Sequence, residues 1–564
     1  MDTAGIENFI ARFEERVAPV EKALGEARWD LSTNGTEEAQ RGLVSVGAEY
    51  NRQFADRDEY ALVRGWYEGR GSLESSLLRR QVEVLYRAFA GRQGDEETLT
   101  RIEELEAEAN AVFGNHRGTV GGREAWENEI REILRSSDDE AFRREAWEAQ
   151  KSVGREAEGI VRELARLRNR LARAEGYENH HARSLDLQEL DDAELDRLLG
   201  NLEAATRSPF EELKWKLDAD LRRRFGVERV MPWHLSDPFF QSCKHDPVSL
   251  RREAGRGNPE GALSAGDSGQ VLDGGNAANE LDLDRFFEDQ DLEALTRKTY
   301  DIMGLEVRDV LAKSDLYERA GKSQHAFCTR VGRSYPYDVR VLANVRPDAY
   351  WMDTMLHEFG HAVYDKYINP SLPYLLRTVA HTNTTEAVAL MMGSLAEEPA
   401  WLSSVAGVPR EDLAADLEKL AERGRADRLV FTRWALVMYR FEKALYENPD
   451  RADLGVLWWD LVERLQLQER PPGRDEPDWA AKIHVPVAPV YYHNYVLGHL
   501  FAAQLRSFLE TRVTGGPFFA DEMAGRYLQE AVFGPGARNP WGETVLGATG
   551  EMLDPEHFIT FLRR

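Results

Sequence analysis

The chain has 564 residues, with 72 Lys+Arg against 99 Asp+Glu, a net charge of −27 and 42% hydrophobic residues. This is an ordinary globular mixture with material for a large core, and too acidic for a protein that grips phosphate backbones, so no nucleic-acid partner is expected. Two cysteines, Cys243 and Cys328, exclude a disulfide framework and suit a reducing compartment. The first thirty residues lack a basic start, an apolar segment and a small-residue cleavage site. No apolar stretch approaches the ~18–20 residues of a membrane span. The expectation is a cytoplasmic protein without membrane contact.

Helical periodicity begins at once. Ile6, Phe9, Ile10, Phe13, Val17, Val20 and Leu24 recur at helical intervals, and Pro19 within them predicts a kink or restart. Similar patterns at Tyr60–Leu85, Leu99–Val112, Glu127–Arg135 and Ala141–Ala182 predict long antiparallel helices. The stretch 252–279 carries seven glycines between Gly255 and Gly275 and reads as a flexible loop or lid. Helical patterning returns from Asp284 to Leu311. From His325 to Val345 the character changes: Tyr337–Ala343 alternates in strand fashion behind the turn-like Gly332–Pro336, which predicts a small antiparallel hairpin. Helices resume from Asp348 and are broken by the Pro-rich run Pro471–Pro489.

The chemistry centres on His357-Glu358-Phe359-Gly360-His361. Pro347-Asp348 supplies a helix start signal ahead of it. On a helix the two histidines at i and i+4 share one face, about 6 Å apart, and can hold one Zn²⁺, with Glu358 beside the ion as a general base. The metzincin extension is excluded, because Tyr364 and Tyr367 stand where it needs Gly and His. Downstream, Thr382–Met392 reads as an apolar helix capped by threonine, with Glu386 its lone early charge. A carboxylate on so apolar a helix wants a partner, which makes Glu386 the third ligand. Asp365 is the competing carboxylate, read as orienting His361 or simply solvated, and His381 is a weaker candidate.

These motifs resemble a gluzincin metallopeptidase related to two sister families, the peptidyl-dipeptidases of the angiotensin-converting-enzyme family and the thimet oligopeptidase/oligoendopeptidase family. The resemblance runs from about His325 to Gln504. It rests on Gly321–Cys328, on the His-Glu-x-x-His block, on Glu386 twenty-five residues after His361, and on Lys482–Pro486 followed by Tyr491–Tyr495. It implies that one zinc ion per chain activates water and polarises the scissile carbonyl, while Glu358 takes the water proton and passes it to the leaving amine. By position in that last block it makes Tyr495 and His484 the oxyanion donors, with Tyr491 and Tyr492 nearby. His325 and Ala326 would lie on the hairpin edge strand that pairs with extended substrate. Lys482 would hold the substrate's C-terminal carboxylate, as in the dipeptidyl-releasing enzymes. The chain also departs from that family: Asn494 replaces the Arg associated with chloride activation, and Leu390 replaces an Asp four residues after the glutamate ligand.

The implied fold is mostly α, a two-lobed metallopeptidase with a deep central channel and a small antiparallel β element beside the zinc site. Residues 1–564 are read as one catalytic unit, with an N-terminal helical lobe over 1–250, the Gly-rich loop over 252–279 and a zinc-site and substrate lobe over 284–564. The expected substrates are short peptides. C-terminal dipeptide release is the first expectation, with oligoendopeptidase or carboxypeptidase action as alternatives and a non-catalytic zinc-binding scaffold as the rival of a different class.

Overall fold

The computed structural model describes residues 2–244, 246, 281–414 and 416–563, so the glycine-rich stretch 252–279 lies outside the described residues. Helices dominate. Among the described residues, the strands form two antiparallel two-stranded sheets, with one isolated parallel bridge between Asp315 and Leu342.

The first helix runs unbroken over Thr3–Asn34 with Pro19 inside it, so the predicted restart does not occur. Pro19 forfeits one backbone hydrogen bond, and a buried stripe of Ile6, Phe9, Ile10, Phe13 and Val17 holds the helix to its neighbours. The stretch predicted as Tyr60–Leu85 divides into Arg57–Glu68 and Ser76–Ala90, separated by a turn containing Gly69 and Gly71. The stretch Ala141–Ala182 likewise divides, into Glu140–Lys151, Val153–Ala174 and the start of His180–Leu187. Apolar periodicity continues across these breaks because each segment keeps its face to a common core.

A first hairpin, β1 (Gly118–Val120) with β2 (Arg123–Ala125), was not foreseen. Its signal is Gly121-Gly122, both at positive φ, the two-residue turn that matches strand twist. The second, β3 (Phe327–Arg330) with β4 (Val339–Leu342), is the predicted one, with Cys328 opposite Val341. Val339, Val341 and Ala343 are buried as the alternation requires, but Leu342, which the alternation places outward, is buried as well.

Two large cores organise the rest. One joins Phe210, Trp233 and Phe240 to Trp434, Trp458 and Tyr492, and so draws on both sides of the glycine-rich stretch. The other gathers Tyr300, Phe359, Met391, Trp401 and Phe533. The helix Tyr492–Phe508 belongs to both: Val496, Leu497 and Leu500 enter the first, Phe501 and Leu505 the second. A smaller core of Phe9, Phe13, Phe54 and Phe89 takes in Tyr374 and Leu375.

Candidate functional site

The helix Ala349–Lys366, here the His helix, starts where Asp348 accepts a hydrogen bond from the Trp351 amide (2.8 Å). Its inner face is buried through Met352, Met355, Leu356, Phe359 and Val363. The helix Thr382–Gly393, the Glu helix, starts differently from the sequence reading. Its cap is His381, whose Nδ1 accepts from the Asn383 amide (3.1 Å), not a threonine. Thr384 instead donates to the His381 carbonyl (2.8 Å).

These helices touch backbone to backbone at Gly360. A Cβ there would stand 2.8 Å from Cα of Ala389, closer than atoms pack. The helix Tyr492–Phe508, the Tyr helix, approaches the Glu helix in the same way at Gly498, where a Cβ would lie 3.0 Å from that of Glu386. Small residues at both crossings set the three helices close enough for side chains to converge.

They do converge. One donor atom from each of His357, His361 and Glu386 lies within 4.8 Å of the others. His357 Nε2 stands 3.9 Å from Glu386 Oε2, close to the roughly 3.4 Å expected between two donors that share one tetrahedral Zn²⁺. Two imidazoles and a carboxylate are also the donor chemistry such an ion takes, so the residues fit the group. Burial lowers both histidines from their ordinary range, His361 to about 3, which keeps the imidazoles neutral and able to ligate.

Glu358 is 9% exposed, and burial together with the neighbouring Glu386 pushes its carboxyl up to about 8. A hydrogen bond from the Cys328 amide acts the other way. That amide points off β3 away from β4, so the free edge of β3 faces the Glu358 side of the site. Burial raises Glu386 to about 7, offset in part by a hydrogen bond from the Tyr491 hydroxyl.

Asp365 does not orient His361. It is half-buried on the wall of the site's cavity, in an ion pair with Arg330 (3.1 Å). The group that holds His361 is Thr385, whose Oγ1 lies 2.7 Å from Nδ1. As acceptor there it leaves Nε2 free for a metal. Thr385 was missed because a threonine beside a glutamate carries no signal of its own. His381, the weaker ligand candidate, faces Trp541 and caps the Glu helix.

A cavity of about 650 Å³ opens on this group. Its walls include Ala326, Cys328, Glu358, Tyr491 and Tyr495, with Arg330 and Arg333. His325 is exposed and, with Ala326, precedes β3 instead of lying within it. His484, Lys482 and Tyr492 do not line this cavity. His484 packs its ring 5.1 Å from that of Tyr492, and its Nδ1 is buried without a hydrogen-bond partner. Lys482 is buried against Phe239 and Trp434 and donates to Gln241 Oε1 (2.7 Å). Among the described residues no carboxylate lies within ion-pair reach of Lys482, and burial lowers the ammonium to about 8. Gln241 sits 241 residues before Lys482 in the chain, so only the fold reveals it.

The helical fold and the His-His-Glu donor set resemble those of a gluzincin metallopeptidase, and comparison with known proteins points the same way. Residues 1–231 match the family model described as angiotensin-converting enzyme, and residues 302–558 match the model of peptidase family M3. The chain therefore resembles both families, in different parts, and the resemblance reaches well beyond His325–Gln504 into the N-terminal helices, where no short motif announces it. Both are families of metallopeptidases, which supports peptide hydrolysis as the activity. A mouse (Mus musculus) protein, Angiotensin-converting enzyme-like protein Ace3, is 22% identical over 587 residues, covering 98% of this chain and 75% of its own length. No helix among the described residues is long and apolar enough to cross a membrane.

Proposed function

We propose that the protein is a zinc-dependent peptidase that releases dipeptides from the free C-termini of short peptides. The observation that carries the hydrolytic part is the convergence of His357, His361 and Glu386 beside a buried Glu358. Those three side chains would hold the ion, which when bound would supply Lewis acidity to water and carbonyl. Glu358 is placed to take the water proton and deliver it to the leaving amine. Its own helix carries two of the ligands, so base and metal share one rigid element.

Substrate would lie extended along the free edge of β3, pairing its backbone with that of Ala326 and Cys328. Tyr495, on the cavity wall, would donate to the developing oxyanion. Burial raises its phenol to about 12, so the proton is present at neutral pH. His484 would join it if the walls close on substrate, and Tyr491 and Tyr492 would flank the peptide. Dipeptide release is supported by Lys482. A buried ammonium whose hydrogen bond goes to an amide oxygen, with aromatic rings as its other neighbours, is costly to keep, and a substrate carboxylate would complete it. Gln241 and Tyr492 would take part in that contact. The two-lobed channel, the single zinc and a cytoplasmic location belong to the same proposal, the last supported by two unpaired cysteines.

Oligoendopeptidase cleavage is the second reading, supported by the peptidase family M3 match over the part that carries the site. Digestion of paired peptides with free and amidated C-termini, with products identified by mass spectrometry, separates the two. Amidation should abolish dipeptide release; internal cleavage of the amidated set would replace the first reading with the second.

A further inference from the structure

The loop that closes helix His180–Leu187 reaches the Val490 turn, the Tyr helix and the cap of the Glu helix at once. The Gln188 side chain accepts from His493 Nε2 (3.1 Å) and Asn494 Nδ2 (2.8 Å), both on the first turn of the Tyr helix and both 1% exposed. Its Nε2 donates to the Val490 carbonyl (3.2 Å). Its backbone carbonyl accepts from the ring of His381, the cap of the Glu helix.

The backbone it grips is strained. Val490 has φ +53, a left-handed conformation that is a genuine outlier for a β-branched residue. Such strain persists only where the surroundings over-determine it. Here both backbone polar groups of Val490 are held by side chains, since its amide also donates to buried Glu442 (3.0 Å). The grip is anchored in turn. Glu189, itself at φ +59, is paired with Arg80 (2.9 Å) and Arg87 (2.9 Å), and its carbonyl accepts from Trp541 (3.1 Å).

We propose that Gln188 is a positioning residue for hydrolysis: its amide pins the Val490 turn and the start of the Tyr helix against the cap of the Glu helix, so that Tyr491 and Tyr495 face Glu386. Tyr491 follows the strained residue directly, and its hydroxyl already meets Glu386. The catalytic part of this inference rests on the role given to Tyr495 above.

The test is a double-mutant cycle on the full chain, with rates normalised to bound zinc. Gln188→Ala should lower kcat about tenfold or more with KM within about twofold, because misplacing a donor by an ångström costs rate more than binding. In the Tyr495→Phe background the same change should cost less than about twofold, since the group it positions is gone. A kcat within twofold of wild type, or an undiminished loss in the Phe background, overturns the proposal; the second result would assign Gln188 a merely structural role. Amide hydrogen exchange supplies a readout independent of turnover. Gln188→Ala should speed exchange across 491–497 about tenfold, and unchanged exchange there also overturns the proposal. If the wild type cleaves no peptide, the peptidase reading falls and the catalytic part of this inference with it, while exchange still decides the clamp. Should Gln188→Ala fail to fold, Asn494→Ala removes one partner of the same amide and takes its place in the cycle.

Discussion

The His and Glu helices and the Lys482–Tyr495 segment, of which Tyr491 and Tyr495 reach the cavity, are held in different ways. The helices are regular, capped and locked by close backbone approach at Gly360. Three donors therefore stand in place chiefly through helix packing, with Thr385 holding His361 and Tyr491 meeting Glu386. The segment from Lys482 is short helical turns and a left-handed valine, held by side chains that arrive from distant parts of the chain: Gln188, Gln241 and Glu442. The difference teaches that the three donors and the tyrosine segment rest on different supports, which meet where the Tyr491 hydroxyl reaches Glu386. Damage to the segment should cost less zinc than damage to the helices.

The largest effect should come from Glu358→Gln, which keeps the fold and the donors but removes the base. Turnover should fall about 10²–10⁴-fold while zinc measured by atomic absorption stays near one per chain. Unchanged turnover would end the assignment of Glu358. Glu386→Ala removes a donor and should weaken zinc in a chelator competition by more than the 10–100-fold typical of losing an outer partner. Its thermal unfolding with the metal stripped should stay close to that of the stripped wild type. Gly360→Ala probes the helix crossing: its Cβ meets backbone, and overpacking of this kind costs about 1–3 kcal/mol, readable by denaturant unfolding together with a weaker hold on zinc.

On the other support the effects are smaller and fall on substrate. The Lys482 ammonium is depressed to about 8 by burial, so the charged form is present below that pH and lost above it. For peptides with free C-termini kcat/KM should therefore decline as pH rises through about 8, and Lys482→Met should lower it about tenfold and flatten that limb, with zinc content unchanged. A retained alkaline limb in the variant would show that another group titrates. Asn494 is neutral and donates to Gln188, so replacing chloride by acetate at constant ionic strength should leave the rate unchanged.

Legibility followed the same divide. His357, Glu358 and His361 could be read because one helix carries all three and helical spacing alone puts both imidazoles on one face. Glu386 could be read because a lone carboxylate on an apolar helix is costly without a partner. Asp365 was open to misreading, since spacing puts it one turn from His361 and only packing shows Arg330 as its partner and Thr385 in its place. The break between Arg57–Glu68 and Ser76–Ala90 was hidden by a continuous apolar pattern.

By itself, then, the sequence determined a mostly helical chain with a predicted hairpin beside a His-Glu-x-x-His helix, because helical and strand periods and ligand spacing are local properties. Only the tertiary structure decided how the Tyr helix bridges two cores, how Gln241 comes to Lys482 and how Gln188 comes to Val490. Those contacts join residues hundreds of positions apart, and what selects them is the burial of apolar faces and the pairing of polar groups cut off from water, which no local pattern encodes.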